Sequence, residues 1–191
     1  MRRPPPIGST GRVRLPRNLL PQVFLSQGEL HCTAEPTMVT TVLGSCVAVC
    51  LSDRARGLGG INHFLLPHCD GDQLNLRYGD VAIDRLLDGM LSLGARVGDL
   101  EAKVFGGAAV MPMNAPENNV GTRNVEVAMA RLRSLGITVV ARRTGGSRGL
   151  SVRLFTATGD VLIRAVRSVM GSQADQLLPV HDTGRNRHAL G

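Results

Sequence analysis

Two residues in the stretch VTTVLGSCVAVCLSDRARGLGGINHFLLP, which covers positions 39–67, have side chains suited to covalent chemistry. Cys46 directly follows Gly44-Ser45, and His63 lies seventeen residues further on. A thiolate is a strong nucleophile, but a free thiol with a pKa of about 8.5 is mostly protonated at neutral pH. A neighbouring imidazole can take that proton or, as imidazolium, lower the thiol pKa. The two residues could therefore form a nucleophilic thiol–imidazole pair.

The pair requires a β-hairpin that brings both residues to one face. Two apolar, β-branched runs flank the turn sequence SDRARG at 52–57, a pattern that predicts antiparallel strands. If the loop spans all six turn residues, Cys46 faces His63; tightening it by one or two residues puts His63 opposite Val47 or Ala48. In two of these three registers Cys46 and His63 share a face, directly opposite or diagonal. The spacing permits the pair and leaves the register open.

Three neighbours of Cys46 complete the predicted site. Gly44 and Ser45 let the backbone turn sharply, so that peptide N–H groups can point at a developing oxyanion. Thr40 lies six residues before Cys46, and an even offset in an uninterrupted strand places both on one face. We therefore predict that Thr40 accepts a hydrogen bond from the second ring nitrogen of His63 and fixes its tautomer.

Two other interpretations of these residues stay open from spacing alone. A cysteine among Val and Ala is often a small buried hydrophobe, and a strand histidine is often a satisfied core residue. A zinc site is also conceivable, but Cys-x3-Cys beside His-x4-His-Cys matches no common ligand spacing. That site would use Cys46, Cys50, His63, His68 and Cys69. We expect no metal.

Composition limits the class of protein. The chain of 191 residues is 43% hydrophobic and 19% charged, which is typical of a globular protein. Aromatic residues make up 3%, with no Trp, which argues against base-stacking platforms and nucleic-acid binding. The longest uncharged stretch, 36–52, is too short and polar for a transmembrane helix, and the basic N-terminus lacks the apolar core of a signal peptide. We expect a cytoplasmic protein without membrane insertion.

The chain divides into a basic, Pro-rich N-terminal arm at 1–20, expected to be disordered, one domain at 21–167, and a loosely ordered tail at 168–191. Within the domain, strand patterns outnumber helical ones by about seven to two. Residues 22–32 predict the first strand, and helical spacing covers 79–93 and the segment that begins at 122. These patterns predict an α+β fold with mostly antiparallel sheets and two main helices on one side.

A basic stretch from Arg131 to Arg153 holds six arginines and no acid. Three of them, Arg142, Arg143 and Arg148, surround the Gly145-Gly146 turn. The stretch could be a solvated helix face and turn, or a surface that docks an acidic partner.

Several motifs, in this order, carry a family resemblance: T-x5-C (Thr40 and Cys46), LGSCVAVCL, GLGGINHFLLP, YGDVAIDRLLDGM, AKVFGGAAVM, VGTRN and LGITVVARRTGG. Over about residues 22–167 the chain resembles the chemoreceptor glutamine deamidases of bacterial chemotaxis, the CheD family. LGSCVAV followed by GGxxHFxLP is the most specific combination. Two positions depart from the family pattern: Arg143 stands where an acidic residue is expected, and Leu150 where Arg is common.

The resemblance implies a layered α/β/β sandwich and hydrolysis of selected glutamine side chains on methyl-accepting chemoreceptors to glutamate and ammonia. It implies Cys46 as nucleophile, His63 as base and Thr40 as the group that orients His63, with no cofactor. The same thioester route would allow hydrolysis of glutamate methyl esters. A CheC-type phosphatase is an implied partner. The main alternative is a non-catalytic regulator that binds receptors or the phosphatase; a cysteine protease is disfavoured, because no acidic or Asn orienter is evident beside the pair.

Overall fold

A computed structural model describes residues 16–69, 75–109 and 119–166. Residues 1–15 of the predicted arm and the whole predicted tail, 168–191, lie outside the described residues. The end of the predicted arm packs on the domain: Arg17, in a short 3₁₀ turn, donates to Asp160 at 3.1 Å and lies 4.3 Å from the centre of the Phe155 ring. No helix in the described ranges is long and apolar enough to cross a membrane.

The described residues form nine strands and two helices, numbered here in chain order. They are β1 Gln22–Phe24, β2 Glu29–Thr33, β3 Met38–Leu43, β4 Val47–Asp53, β5 Leu58–His63, α1 Gly79–Ser92, β6 Glu101–Gly106, α2 Val120–Ser134, β7 Thr138–Thr144, β8 Gly149–Phe155 and β9 Asp160–Val166.

The strands make two mixed sheets. A five-stranded sheet has the order β2-β5-β4-β6-β7, and a four-stranded sheet has the order β1-β3-β8-β9. Only the pairs β6–β7 and β1–β3 are parallel. The predicted first strand over 22–32 is wrong: it is two strands, β1 and β2, in different sheets. A turn with Gly28 at φ 76° separates them, a conformation that glycine adopts without strain.

Both faces of the five-stranded sheet are buried at β4 and β5. One face packs on the helices; its buried residues include Val47, Val49, Leu51, Leu86, Met90 and Leu132. The other face packs on the four-stranded sheet; its buried residues include Cys46, Ala48, Cys50, Ile61, Leu43 and Val152. A strand covered on both faces reads as a continuous apolar run, as this stretch does. The predicted α+β class and the layered α/β/β sandwich are confirmed.

Gly59 and Gly60 explain why a Gly-Gly pair precedes the histidine. A Cβ added at Gly60 would lie 2.8 Å from the sulfur of Cys32 and 3.0 Å from a methyl of Leu86. A Cβ at Gly59 would lie 2.5 Å from the carbonyl oxygen of Thr156, on the opposite side. Strand β5 is therefore closely packed between the helix layer and the four-stranded sheet. This packing fixes the position of His63 at the end of the strand.

Candidate active site

The β4–β5 hairpin brings Cys46 and His63 to the same face. Val47 and Phe64 exchange two backbone hydrogen bonds of 3.0 Å, which places His63 opposite Ala48. Cys46 is then the diagonal neighbour of His63. This is the register with the loop tightened by two residues. In this register, one of the three that the spacing left open, Cys46 and His63 share a face, and both residues are buried, Cys46 being 9% exposed and His63 2%.

The hydroxyl beside His63 belongs to Thr41. Thr41 Oγ1 lies 2.8 Å from His63 Nδ1, and the Thr41 side chain is fully buried. Thr40 is half-buried and pairs across its sheet with Phe24 and Arg153. The prediction that Thr40 orients His63 is therefore corrected to Thr41.

The correction has a simple cause in the chain path. The even offset from Thr40 to Cys46 assumed one uninterrupted strand, but β3 ends at Leu43 in the four-stranded sheet, and β4 begins at Val47 in the five-stranded sheet. The alternation of faces does not carry across the break at 44–46. Within β3 the residues turned toward the other sheet are Val39, Thr41 and Leu43, all buried.

A chain of two hydrogen bonds sets the protonation of the His63 ring. Thr41 Oγ1 also lies 2.8 Å from the carbonyl oxygen of Leu25, which can only accept. The single hydroxyl proton of Thr41 therefore goes to Leu25, and Thr41 Oγ1 accepts the proton of His63 Nδ1–H. This tautomer leaves a lone pair on His63 Nε2, which is buried and has no hydrogen-bond partner among the described residues.

Burial keeps both reacting groups neutral. The pKa of His63 is lowered by burial, against smaller opposing effects of the Leu25 carbonyl and the Glu29 carboxylate, which neighbours His63 across β2–β5. The pKa of the Cys46 thiol is raised by burial, against a smaller lowering by its own backbone N–H. A neutral thiol on the same face as an unprotonated imidazole suits proton transfer during attack.

Cys50, which is buried, and Cys32, which is half-buried, have more strongly perturbed thiols. Burial raises the pKa of Cys50 to about 12, with Lys103 opposing slightly, and that of Cys32 to about 11. Such thiols are protonated at neutral pH and poor nucleophiles.

His68 and the Cys69 N–H both contact Asp80, in the first turn of α1. Within the described ranges no three His, Cys, Asp or Glu side chains form a group that could hold a metal ion.

The Gly44–Cys46 segment is held by its carbonyl oxygens. Gly44 O accepts from Ala108 N at 2.9 Å, and Cys46 O accepts from Gly107 N at 2.8 Å. Ser45 O accepts from the Asn124 side chain at 3.1 Å. The N–H groups of Ser45 and Cys46 have no oxygen acceptor in the described part of the chain. They are thus available to an incoming oxygen, as an oxyanion hole requires.

Asn124 is a site residue that the sequence analysis missed. It lies on α2, fully buried, and its Nδ2 also donates to the Leu65 carbonyl at 2.7 Å. The available signal was a polar residue within the apolar stripe of the helix, between Gly121 and Ala128. A buried amide in such a stripe needs partners, which here are two loop carbonyls.

The predicted docking arginines lie near this segment. Arg142 and Arg143 are exposed on the edge strand β7, and Arg148 is exposed in the turn before β8. The turn between them donates from Gly145 N to Gly106 O at 2.9 Å and accepts at Gly146 O from Ala109 N at 2.8 Å. The basic turn is therefore hydrogen-bonded to the end of β6 and the residues that follow it. Two of those residues, Gly107 and Ala108, donate to the carbonyls of Cys46 and Gly44.

A groove of about 590 Å³ lies elsewhere, between the two helices. Asp84 and Arg131 line it and form a two-contact ion pair of 2.6 and 2.8 Å. Its lining residues include no cysteine, serine or histidine. It does not offer the nucleophilic chemistry of the hairpin site.

The family model described as "CheD chemotactic sensory transduction" matches residues 65–165. A "Probable chemoreceptor glutamine deamidase CheD" of Rhodospirillum rubrum is 50% identical over 166 residues, covering 87% of this chain and 94% of the relative. Proteins of the same name from Trichlorobacter lovleyi and Caulobacter vibrioides are 47% identical over 141 residues (73% of this chain, 88% of the relative) and 44% identical over 151 residues (76% and 78%).

Among solved structures, the crystal structure of Bacillus licheniformis hypothetical protein YfiH is similar with a TM-score of 0.43 and 16% identity, covering 66% of this chain and 62% of that one. The match to the family model and the extent of the sequence identity to these relatives lead to one conclusion: the chain belongs to the CheD family.

Proposed function

We propose that this protein hydrolyses the side-chain amide of specific glutamines on methyl-accepting chemoreceptors, giving glutamate and ammonia, with Cys46 as nucleophile, His63 as base and Thr41 as the group that orients His63. The names of the relatives support the reaction class and the substrate. One observation carries the chemical assignment: His63 Nε2 is buried without a described partner on the face that Cys46 shares. His31 Nε2 is also buried without a described partner, so the assignment depends on the face that His63 shares with Cys46 together with the unpaired nitrogen.

In the first step, His63 Nε2 takes the Cys46 thiol proton while the sulfur attacks the carboxamide carbon. Because burial favours the neutral forms of both residues, the proton moves during attack rather than before it. The N–H groups of Ser45 and Cys46 receive the negative charge that develops on the carboxamide oxygen. Thr41 accepts from the imidazolium Nδ1–H and keeps the ring oriented.

In the second step, the C–N bond breaks and His63 gives its proton to the departing ammonia, leaving a glutamyl thioester on Cys46. A water molecule then loses a proton to His63 and attacks the thioester, which releases glutamate and restores the thiol. The net reaction consumes one water and needs no metal or organic cofactor. A glutamate methyl ester would enter the same thioester with loss of methanol.

The arginine-rich turn supports a docking role in this proposal. Receptor cytoplasmic domains are helical bundles rich in Glu and Gln, so a basic surface beside the site would steer their approach. Arg142, Arg143 and Arg148 are assigned that role. The reaction would take place in the cytoplasm, and a CheC-type phosphatase is a proposed further partner.

The direct test is intact-mass analysis of a purified receptor cytoplasmic domain after incubation with the protein. Each glutamine converted to glutamate should raise the mass of the receptor domain by about one mass unit, since an NH2 group is replaced by OH. Cys46→Ala should give no increase while keeping the fold. Cys50→Ala is the matched control, since it removes a thiol four residues further along the chain from the same buried face, and it should retain activity. Equal loss in both variants at equal stability would refute the assignment of the nucleophile.

A further inference from the structure

Asn124 links a helix to both halves of the candidate site. One side-chain amide group donates to Ser45 O at 3.1 Å and to Leu65 O at 2.7 Å. Ser45 immediately precedes the candidate nucleophile, and Leu65 follows the candidate base by two residues. No other hydrogen bond to either carbonyl is found in the described ranges.

The bond to Ser45 O determines where the next N–H points. The Ser45–Cys46 peptide is trans, so its carbonyl and its N–H point in opposite directions. Since Asn124 draws the carbonyl toward the helix layer, the Cys46 N–H points toward the interface of the two sheets. The Cys46 side chain packs at that interface.

A second observation agrees with this direction. The Cys46 N–H acts on the thiol of its own residue, where it partly offsets the rise in pKa that burial causes. The N–H therefore lies within reach of the thiol of its own residue, on the side of the peptide away from the Ser45 carbonyl.

We infer that Asn124 is a positioning residue of the reaction: it holds the Ser45–Cys46 peptide so that the Cys46 N–H is directed at the developing oxyanion. The inference rests on the proposed deamidation and adds a group that acts on it from α2. Oxyanion donors are effective because they are oriented before the reaction, at no cost in reorganisation.

The alternative, that Asn124 only fills the helix stripe, is disfavoured by its own atoms. Its Oδ1 is buried and has no partner among the described residues. An apolar side chain would fill the same stripe without this unpaired oxygen. The presence of Asn at this position is thus accounted for by the two hydrogen bonds that its amide donates, and not by the space that it fills.

The test compares two reactions of Cys46 in Asn124→Ala and Asn124→Ser. Deamidation of the receptor domain passes through an oxyanion, whereas alkylation of Cys46 by iodoacetamide, followed by peptide mass spectrometry, does not. We expect kcat for deamidation to fall about 10²- to 10³-fold in Asn124→Ala with little change in KM, the loss typical of an oxyanion-hole donor. The rate of Cys46 alkylation should stay close to that of the wild type.

Leu132→Ala is the control, because it truncates a fully buried, apolar side chain of the same helix, which can donate no hydrogen bond to either carbonyl. It should lower the Tm and leave kcat unchanged. If Asn124→Ala does not fold, Asn124→Ser is used in its place. Its single hydroxyl proton can be donated to only one of the two carbonyls, so kcat should still fall, but by less than in Asn124→Ala.

If the wild type is active and kcat is unchanged in the Asn124 variants, the inference about Asn124 is overturned, while the proposed function is not affected. A parallel fall of alkylation and deamidation would also overturn it, because the side chain would then hold the loop without a particular effect on the oxyanion. A wild type that fails to convert any receptor glutamine would instead refute the proposed function.

Discussion

Thr41→Val separates the orienting role of the hydroxyl from the packing of the side chain. Valine keeps the shape of threonine but can neither accept from His63 Nδ1 nor donate to Leu25 O, the two contacts of 2.8 Å made by Thr41 Oγ1. Without them the ring is free to place its proton on Nε2, the atom that must be unprotonated to act as base.

The expected loss follows from the charge on the ring at the transition state. The imidazolium formed during attack donates to Thr41, and a hydrogen bond to a charged group contributes about 1.5–3 kcal/mol. Because 1.36 kcal/mol corresponds to a factor of ten in rate, kcat should fall roughly 10- to 150-fold. The variant should also unfold about 1–3 kcal/mol more easily, since the Leu25 carbonyl remains buried without its donor.

The assay is single-turnover deamidation of a receptor domain followed by intact mass, together with urea unfolding of each variant. Thr40→Val is the matched control: it makes the same change one residue earlier, on the other face of β3, where the side chain is half-buried and does not face His63. Its kcat should equal that of the wild type.

Two results would refute this reasoning. Wild-type turnover in Thr41→Val would show that the hydroxyl does not orient the base. A larger loss in Thr40→Val than in Thr41→Val would show that the strand parity in solution is the one the sequence suggested, with Thr40 on the side of His63.

Four further predictions concern the base, the pH dependence of activity, the pH dependence of stability and the basic turn. His63→Ala should cost nearly as much kcat as Cys46→Ala, and the double variant should lose little more, because the two act as one unit; additive losses in single-turnover assays would contradict this. Because burial lowers the pKa of His63 below its ordinary value of 6.5, the acid limb of a kcat/KM profile should lie below pH 6.5, and a limb above it would refute the assignment. For the same reason the unfolded chain binds the proton first as pH falls below 6.5, so the free energy of unfolding in urea should decrease with falling pH in a His63-dependent way. Changing Arg142, Arg143 and Arg148 together to Ser should raise KM for the receptor and flatten its salt dependence while sparing a small glutamine peptide; an unchanged salt dependence would show the turn to be merely solvated.

The sequence alone limited how Cys46 and His63 can be arranged: two of the three possible hairpin registers put them on one face, and the structure selected among the three. Both residues belong to one hairpin, where the turn length limits the register and the two-residue period limits the faces. The same local rules located helix α1 and the α+β class, because apolar periodicity reflects which side of an element is covered. Family membership was also evident from short motifs whose order and spacing are specific.

Only the tertiary structure decided which threonine contacts His63 and which residue holds the loop that carries the candidate nucleophile. Thr41 contacts His63 because β3 and β5 lie in different sheets that pack face to face. Counting residues along one strand therefore does not show which threonine faces His63. Asn124 reaches Ser45 across 79 positions of sequence, through the packing of the helix layer on the five-stranded sheet. Period and turn chemistry act within an element, whereas contacts between layers depend on how whole elements stack, and no local pattern encodes that distance or angle.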